Sequence, residues 1–536
     1  MRAALLLCGI LLISGTQPSV AQSQVAMAPA LGVAATPRLD FTPREMALAQ
    51  AAASVPDLAA YYGEHGLQPI FMGGQAAALR MALQDAVATA PEHGIPAGRY
   101  SSALLSRDAT DISSEIAQAR ILVRYLRDMT GGVVRPARVD PLIKRDVIRP
   151  PIHKLIRDFT QAPDPRQFLL DQQPRHAAYQ ALQRALTGGR SLAVPADLPR
   201  APEGLWRVGM RGGGVVPLRA RLDSIGFGAP AADPSVYDAA LADAVARYQA
   251  AVGLPADGVA GPKTIRNLNG DVPDDSRSRA IVVALERMRW MAQEDLAERH
   301  VWVNIPEYTA RIMDNGTEVF RTRVVVGHAD HDRQTPEFSD QIEYVVANPR
   351  WNVPRSIAVK EYLPKLQANR YAVAHLDVVD GNGNVIARDR IDFGRYNAST
   401  FPYRIRQKPS DDNALGLVKF IFPNPWNIYL HDTPTKHLFR NAARAYSHGC
   451  IRIGDPFDLA YNLLSQQTEN PQAIFHRALD TGNESWLKLT PTVPVHLVYF
   501  TAFPDTDGTI QRFEDVYGRD AALYDAIQKA GLDSQG

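Results

Sequence analysis

The alternation of apolar and polar positions changes character several times along the chain. Residues 3–13 (AALLLCGILLI) are an unbroken apolar run directly behind the cationic Arg2. That run is too short to cross a bilayer as a helix, which takes about 20 residues. Ser19-Val20-Ala21 supplies a small-x-small cleavage pattern, so residues 1–21 are expected to be a secretory signal. Residues 22–41 are rich in Ala, Pro, Gln and Ser and read as a flexible leader. From about 42 to 200 the period is helical. Thr42-Pro43-Arg44-Glu45 has capping-box spacing with proline at the first helical position. Ile116, Ile121, Leu122, Tyr125 and Leu126 share one face of a strong amphipathic stretch. This region carries no phosphate loop, metal cluster or catalytic pairing and reads as scaffold.

Residues 203–270 are shorter-waved. Leu218, Leu222, Leu241, Ala244, Val245 and Tyr248 are spaced for two short helices, and Gly226, Gly253, Asp257-Gly258 and Gly261 mark turns between them. Pro262 sits where a third helix opens. Ile281, Val282, Leu285 and Met288 belong to a further helix. It is expected to return onto the first helical region and complete that domain over about 271–299.

Beyond residue 300 the period shortens to two. Val301, Val303 and Ile305 alternate, as do Phe320, Thr322, Val324 and Val326. Further strands are expected over Ile342–Val346, Val418–Phe422, Asn427–Leu430, Ile451–Ile453 and Val495–Phe500. The rhythm lapses between about 356 and 412, where a helix (Ala358 to Leu366) and a Gly381-Asn382-Gly383-Asn384 turn suggest a lid or binding loop inserted in a mostly β domain. The expected fold is multidomain α+β. It comprises the helical scaffold, a small three-helix module, a mostly β domain over 300–502 with its insertion, and a C-terminal extension over 503–536.

Composition narrows the function. A chain of 536 residues exceeds one compact core. With 58 basic against 57 acidic residues there is no cationic excess of the kind nucleic-acid binding needs. Of two cysteines, Cys8 falls in the apolar run, so the processed chain keeps only Cys450. One thiol makes neither an internal disulfide nor a cysteine-based zinc site. It is an inert buried group, an intermolecular partner or a nucleophile.

The surroundings of Cys450 favour a nucleophile. Asn427 to Pro434 reads N-I-Y-L-H-D-T-P, and Ala445 to Ile453 reads A-Y-S-H-G-C-I-R-I. A thiol nucleophile needs a base in hydrogen-bond reach and donors for an oxyanion. The amides of Gly449 and Cys450 are candidate donors. His448 shares a face with Cys450 if the segment is extended; His431 is at the end of a neighbouring strand, and spacing alone leaves both open as the base. Asp455-Pro456 opens a helix just beyond, a setting that would lower the thiol pKa. A zinc site from His431, His437, His448 and Cys450 uses the right ligand types but offers a single thiol.

The strings S-H-G-C-I-R-I and Y-L-H-D-T-P resemble the signature of the L,D-transpeptidases with a YkuD-type catalytic domain. The longer pattern is similar to their large YcbB-like branch: Val303-Asn304-Ile305-Pro306, Gln334-Thr335-Pro336, Asn348-Pro349-Arg350-Trp351-Asn352-Val353-Pro354 and Asn413-Ala414-Leu415-Gly416. Residues 244–269 likewise resemble a peptidoglycan-binding domain. The resemblance implies Cys450 as nucleophile and His431 as general base, with His448 as an orienting or site-wall residue. It implies Gly449 at a backbone oxyanion hole, and Tyr429, Ser447 and Arg452 along the substrate groove. Where many relatives have glycine after the upstream histidine, this chain has Asp432.

Export through the expected signal implies the periplasm, with a membrane tether as the alternative if the signal stays uncleaved. The same resemblance implies an enzyme without metal or cofactor, whose partners are tetrapeptide stems of peptidoglycan as donor and acceptor. Carbapenem β-lactams would be covalent inhibitors and other wall-synthesis enzymes would be partners. Its product would be a cross-link between two diaminopimelate residues. The alternatives are a wall-binding protein with L,D-carboxypeptidase or lipoprotein-anchoring activity, an inactive wall-binding protein, and a papain-like protease, whose own motif and Asn or Asp partner are not found.

Overall fold

The structure, a computed structural model, describes residues 41–191, 194–195, 197–252, 254, 256–270 and 275–532. The expected signal segment, nearly all of the leader, and the turn residue Gly253 lie outside the described residues.

The site is built on a nine-stranded sheet. In chain order its strands begin with β1 (His300–Asn304), β2 (Thr309–Asp314), β3 (Thr317–Gly327) and β4 (Phe338–Ala347). After a small separate sheet of β5 (Trp351–Asn352), β6 (Leu376–Val379) and β7 (Arg404–Gln407) come β8 (Val418–Ile421), β9 (Leu430–His431), β10 (Ala445–Ser447), β11 (Ile451–Ile453) and β12 (Ser485–Val498). The order is β10-β3-β11-β9-β8-β4-β12-β1-β2, and β2 also pairs with β3, so the strands close into a ring. Val303, Val324, Val345, Phe420, Leu430, Ile451 and Val495 fill its interior.

β1 departs from simple alternation: all five residues are buried. Its outer face is covered too, because Trp302 joins a second core made by the helices Ala177–Ser191, Asp275–Trp290 and Arg519–Leu532. The expected strand Asn427–Leu430 is shorter than its sequence suggests. Asn427 has φ +56°, and the Asn424 side chain accepts from the Trp426 and Ile428 amides and donates to the Ile428 carbonyl. Those backbone groups are satisfied by a side chain instead of a ladder, which leaves only Leu430–His431 as strand.

The scaffold helices start as the capping box predicts. Glu45 N–H donates to Thr42 Oγ1 at 3.2 Å, and Thr42 N–H to Glu45 Oε2 at 2.7 Å. Ile116, Ile121, Leu122, Tyr125 and Leu126 on the helix Ile112–Gly131 are buried in one core with Leu58, Leu83 and Phe159. A separate small core joins the helices Val215–Ser224, Ala239–Ala251 and Pro262–Leu268 through Leu218, Leu222, Leu241, Val245, Tyr248 and Ile265. The stretch inserted after β5 has its own core, with Ile357, Leu363, Leu376, Phe393, Phe401 and Ile405, and we call it the cap. Residues 502–512 form a hairpin, β13 (Ala502–Pro504) with β14 (Ile510–Arg512), and the following helix returns Leu523 and Ile527 to the scaffold side. Among the described residues, no helix is long and apolar enough to cross a membrane.

Candidate active site

Two short parallel strands set the site. β9 and β11 pair with Leu430 beside Ile451 and His431 beside Arg452. Side chains alternate along a strand and match across a parallel pair, so Tyr429 and His431 share a face with Cys450 and Arg452. On the other flank β8 brings Lys419 opposite His431. This row lies in a cleft of about 1210 Å³ that also takes in Ser447, His448 and Gly449 and reaches under the cap at Ile357, Glu361 and Tyr362.

The Cys450 thiol is half-buried on the cleft floor and donates to the Asn427 carbonyl at 3.5 Å. The Tyr429 amide and side chain both bond to its sulfur. Burial pushes the thiol up to about 11, against the Tyr429 bonds and the positive charge of Arg452. The lowered thiol expected from the helix start at Asp455 is therefore not found. The helix Pro456–Leu464 begins only after β11, a terminal dipole fades within about one turn, and the Asp455 carboxylate is taken up by Thr322 Oγ1 at 2.7 Å.

His431 is 5 % exposed, and its Nδ1 is hydrogen-bonded to the Asp432 carbonyl. A carbonyl only accepts, so Nδ1 carries the proton and Nε2 presents its lone pair. Burial first, then the nearby Arg452, pushes the imidazole down to about 3. The thiol and the imidazole are thus both neutral at ordinary pH. Asp432 fixes this loop: its side chain accepts from the Leu417 amide at 2.9 Å and the Thr433 amide at 2.6 Å and pairs with Lys436. A Cβ on Gly416 would lie 2.2 Å from Asp432 Oδ2, so the aspartate fills space that only glycine leaves.

His448 goes elsewhere. The segment is not extended, since Gly449 has φ +111° and turns the chain. His448 Nε2 donates to Glu361 Oε1 of the cap at 2.6 Å. Gly449 also departs from expectation: its amide donates to Ser447 Oγ at 3.2 Å and is no longer free to meet an oxyanion. Ser447 Oγ donates in turn to the Cys450 carbonyl, so this hydroxyl shapes the turn itself. The Cys450 amide, which has no acceptor among the described residues, is the donor left for that task. Arg452 Nη1 donates to Thr435 Oγ1 at 3.0 Å, while its buried Nε has no partner among the described residues. Exposed His437 lies on the turn Lys436–Arg440, and no group of three His, Cys, Asp or Glu converges as a metal site among the described residues.

Several functional contacts escaped sequence reasoning. Thr335, fully buried, accepts from the Gly327 amide at 2.9 Å and donates to the Gly449 carbonyl at 2.8 Å. Tyr517 donates to the Gly327 carbonyl at 2.7 Å, and Arg519 donates to the Thr335 carbonyl at 3.0 Å. Gly327 is required there, because a Cβ would sit 2.1 Å from the Arg333 carbonyl oxygen. Val326 in the alternating run and the string Gln334-Thr335-Pro336 were the visible signal. Nothing local linked them to residues 517–519.

Three parts of the chain match known families. Residues 298–483 match the family described as the L,D-transpeptidase catalytic domain (YkuD). Residues 56–186 match a scaffold domain, and 211–268 match a "putative peptidoglycan binding domain". The chain therefore carries a mostly β YkuD-type L,D-transpeptidase catalytic domain together with helical scaffold and peptidoglycan-binding domains. That arrangement is consistent with the large YcbB-like branch. A Haemophilus influenzae protein named "Putative L,D-transpeptidase" is 33 % identical over 266 residues, which is 49 % of this chain and 53 % of that protein. The match thus spans about half the length of that relative. The crystal structure of an L,D-transpeptidase fragment from Xylanimonas cellulosilytica is 14 % identical, covering 56 % of this chain and 98 % of that one. Its TM-score of 0.15 is too low to inform the fold.

Proposed function

We propose that the protein is a peptidoglycan L,D-transpeptidase of the periplasm, with Cys450 as nucleophile and His431 as base. The observation that carries this reading is the shared strand face of Cys450 and His431, with the lone pair of His431 Nε2 left available by the Nδ1 bond to Asp432. Because both groups start neutral, deprotonation accompanies attack instead of preceding it. The sulfur adds to the carbonyl carbon of diaminopimelate in a tetrapeptide stem as its proton passes to His431. The Cys450 amide meets the oxyanion. Collapse returns the proton to the departing D-alanine amine and leaves a thioester. The side-chain amine of an acceptor stem then attacks, His431 takes its proton and passes it to the leaving sulfur, and a cross-link between two diaminopimelate residues results. Tyr429 and Arg452 border the thiol, and His448 holds the cap. Carbapenems would acylate the same sulfur.

Incubation of the purified protein with disaccharide tetrapeptide, read by mass spectrometry, tests this. The expected product is a dimer lacking one D-alanine. D-Alanine release without dimer would reduce the activity to carboxypeptidation, and product from Cys450→Ala would overturn the mechanism. His431→Ala should cost at least tenfold more kcat than His448→Ala, since a positioned base contributes about 10²–10⁴-fold; the reverse order would exchange their roles.

A further inference from the structure

One wall of the cleft comes from outside the catalytic sheet. Lys144, in the segment trailing the first scaffold helices, donates its amide to the Glu337 carbonyl at 2.8 Å, and Glu337 donates its amide to the Leu142 carbonyl at 2.9 Å. Ile143 forms a parallel bridge with Glu337, just ahead of β4. Alternation then splits the three residues: Ile143 is fully buried in the scaffold core, while Leu142 and Lys144 line the cleft. The Lys144 ammonium stands 5.9 Å from the ring centroid of Trp426, which packs on Phe338 at 4.7 Å. The next residue, Asn427, supplies the carbonyl that meets the Cys450 thiol. The scaffold thus holds a cation along a short chain of contacts from the reactive sulfur.

Among the described residues, that cation has no carboxylate partner. The acids of the cleft are taken: Asp332 pairs with Lys360 at 2.9 Å and Glu361 with His448 at 2.6 Å. Of the other cations there, Lys419 is paired with Glu484 at 3.3 Å, Arg333 with Asp330 and Lys360 with Asp332, and Arg355 donates to backbone carbonyls, while Arg350 and Arg452 have no carboxylate partner among the described residues. Among the described residues, Lys144 has only the Trp426 ring against its ammonium. A half-buried ammonium held by its backbone and by an aromatic face, facing an open cleft, fits an anionic ligand group better than a role in packing.

We propose that Lys144, borne by the scaffold, binds a carboxylate of the peptide stem and so helps to select an anionic substrate. This rests on the stem-peptide reading above. The carboxylate belongs either to the side arm of diaminopimelate or to the terminal D-alanine, and the test separates the two. Binding is measured calorimetrically on the full-length Cys450→Ala protein with three probes: the free tetrapeptide, the same peptide amidated on the side arm, and the same peptide amidated at its C-terminus. Adding Lys144→Met should weaken binding of the free tetrapeptide by about tenfold, the scale of a partly exposed charge-assisted hydrogen bond.

The amide whose binding Lys144→Met leaves unchanged identifies the carboxylate, and Lys144→Arg should restore most of the loss. Equal weakening of all three probes, or of none, overturns the proposal, because a structural role does not distinguish them. If the wild-type protein cross-links stems and Lys144→Met binds every probe normally, only this proposal falls. If no stem binds the Cys450→Ala protein, the functional reading falls with it.

Discussion

The turn that carries Cys450 is held from two sides by different chemistry. From below, residues 515–520 reach it through buried groups. Arg519 pairs with Glu337 at 3.0 Å and with Asp140 at 3.3 Å, and donates to the Thr335 carbonyl. Thr335 in turn holds the Gly449 carbonyl. From above, the cap reaches the same loops through half-exposed or exposed side chains, His448 with Glu361 and Asp332 with Lys360. Buried charges broken on one side leave an uncompensated partner, whereas exposed pairs are screened by water and salt. The lower contact to the Cys450 turn is therefore the costlier to break and the upper one the cheaper.

Breaking the lower side should have the largest effect. Arg519→Ala leaves Glu337, among the described residues, with Arg287 alone at 3.3 Å, and should destabilise the protein by about 3–5 kcal/mol, read as a lowered Tm and lost activity. Thr335→Val removes one hydroxyl that serves both the Gly327 amide and the Gly449 carbonyl. It should cost about 1–3 kcal/mol and lower kcat by about ten- to a hundredfold with little change in KM, because it misplaces the turn more than it alters the cleft.

Acid should act on the buried side as well. His431 falls to about 3 from an ordinary 6.5, His93 falls to about 4, and His300 and His496 are lowered too, burial being the first cause in each. A histidine with a depressed folded pKa contributes its full stability above about 6.5. As pH falls the unfolded chain takes up protons first, so stability drops progressively from about 6.5 towards about 3. For His431 alone the loss at pH 5 is about 2 kcal/mol, and denaturant midpoints across that range check it. With the thiol raised to about 11 and the imidazole lowered to about 3, the neutral pair persists between them, so kcat/KM should stay level across neutral pH and show no ionisation of thiol or base near 6.5. The smallest effect belongs to the upper side. Glu361→Gln should move stability by less than about 1 kcal/mol, and its effect on KM should fade as salt rises. A large loss of Tm in this variant would erase the contrast between the two sides.

The legible part of the molecule was whatever short-range order encodes. The period-2 runs place β1, β3, β4 and β11, the capping box at Thr42 forms, and Tyr429-x-His431 with Cys450-x-Arg452 already contains the shared face of the site. What stayed hidden depends on residues far apart in the chain. Trp302 is buried on the outer face of β1 only because helices from three other regions cover it. His448 turns to the cap because Gly449 takes a positive φ, which the string His448-Gly449-Cys450 permits but does not require. Arg519 and Lys144 look like ordinary surface residues in sequence. Their partners Thr335 and Glu337 are 184 and 182 residues from Arg519, and the rung that positions Lys144 crosses from scaffold to sheet.

The helix at 519–532 also ties distant parts of the chain together. Arg99 donates to the Ala530 carbonyl at 2.9 Å across 431 residues of sequence, and the same helix follows directly on the residues that brace the turn beneath Cys450. Contacts of such long range form late, after the loops they close have been drawn in. The bracing of the Cys450 turn through Thr335 is therefore complete only when Tyr517 and Arg519 are in place. Until then the thiol sits on a sheet whose bracing is unfinished, so the setting of Cys450 is a property of the assembled chain.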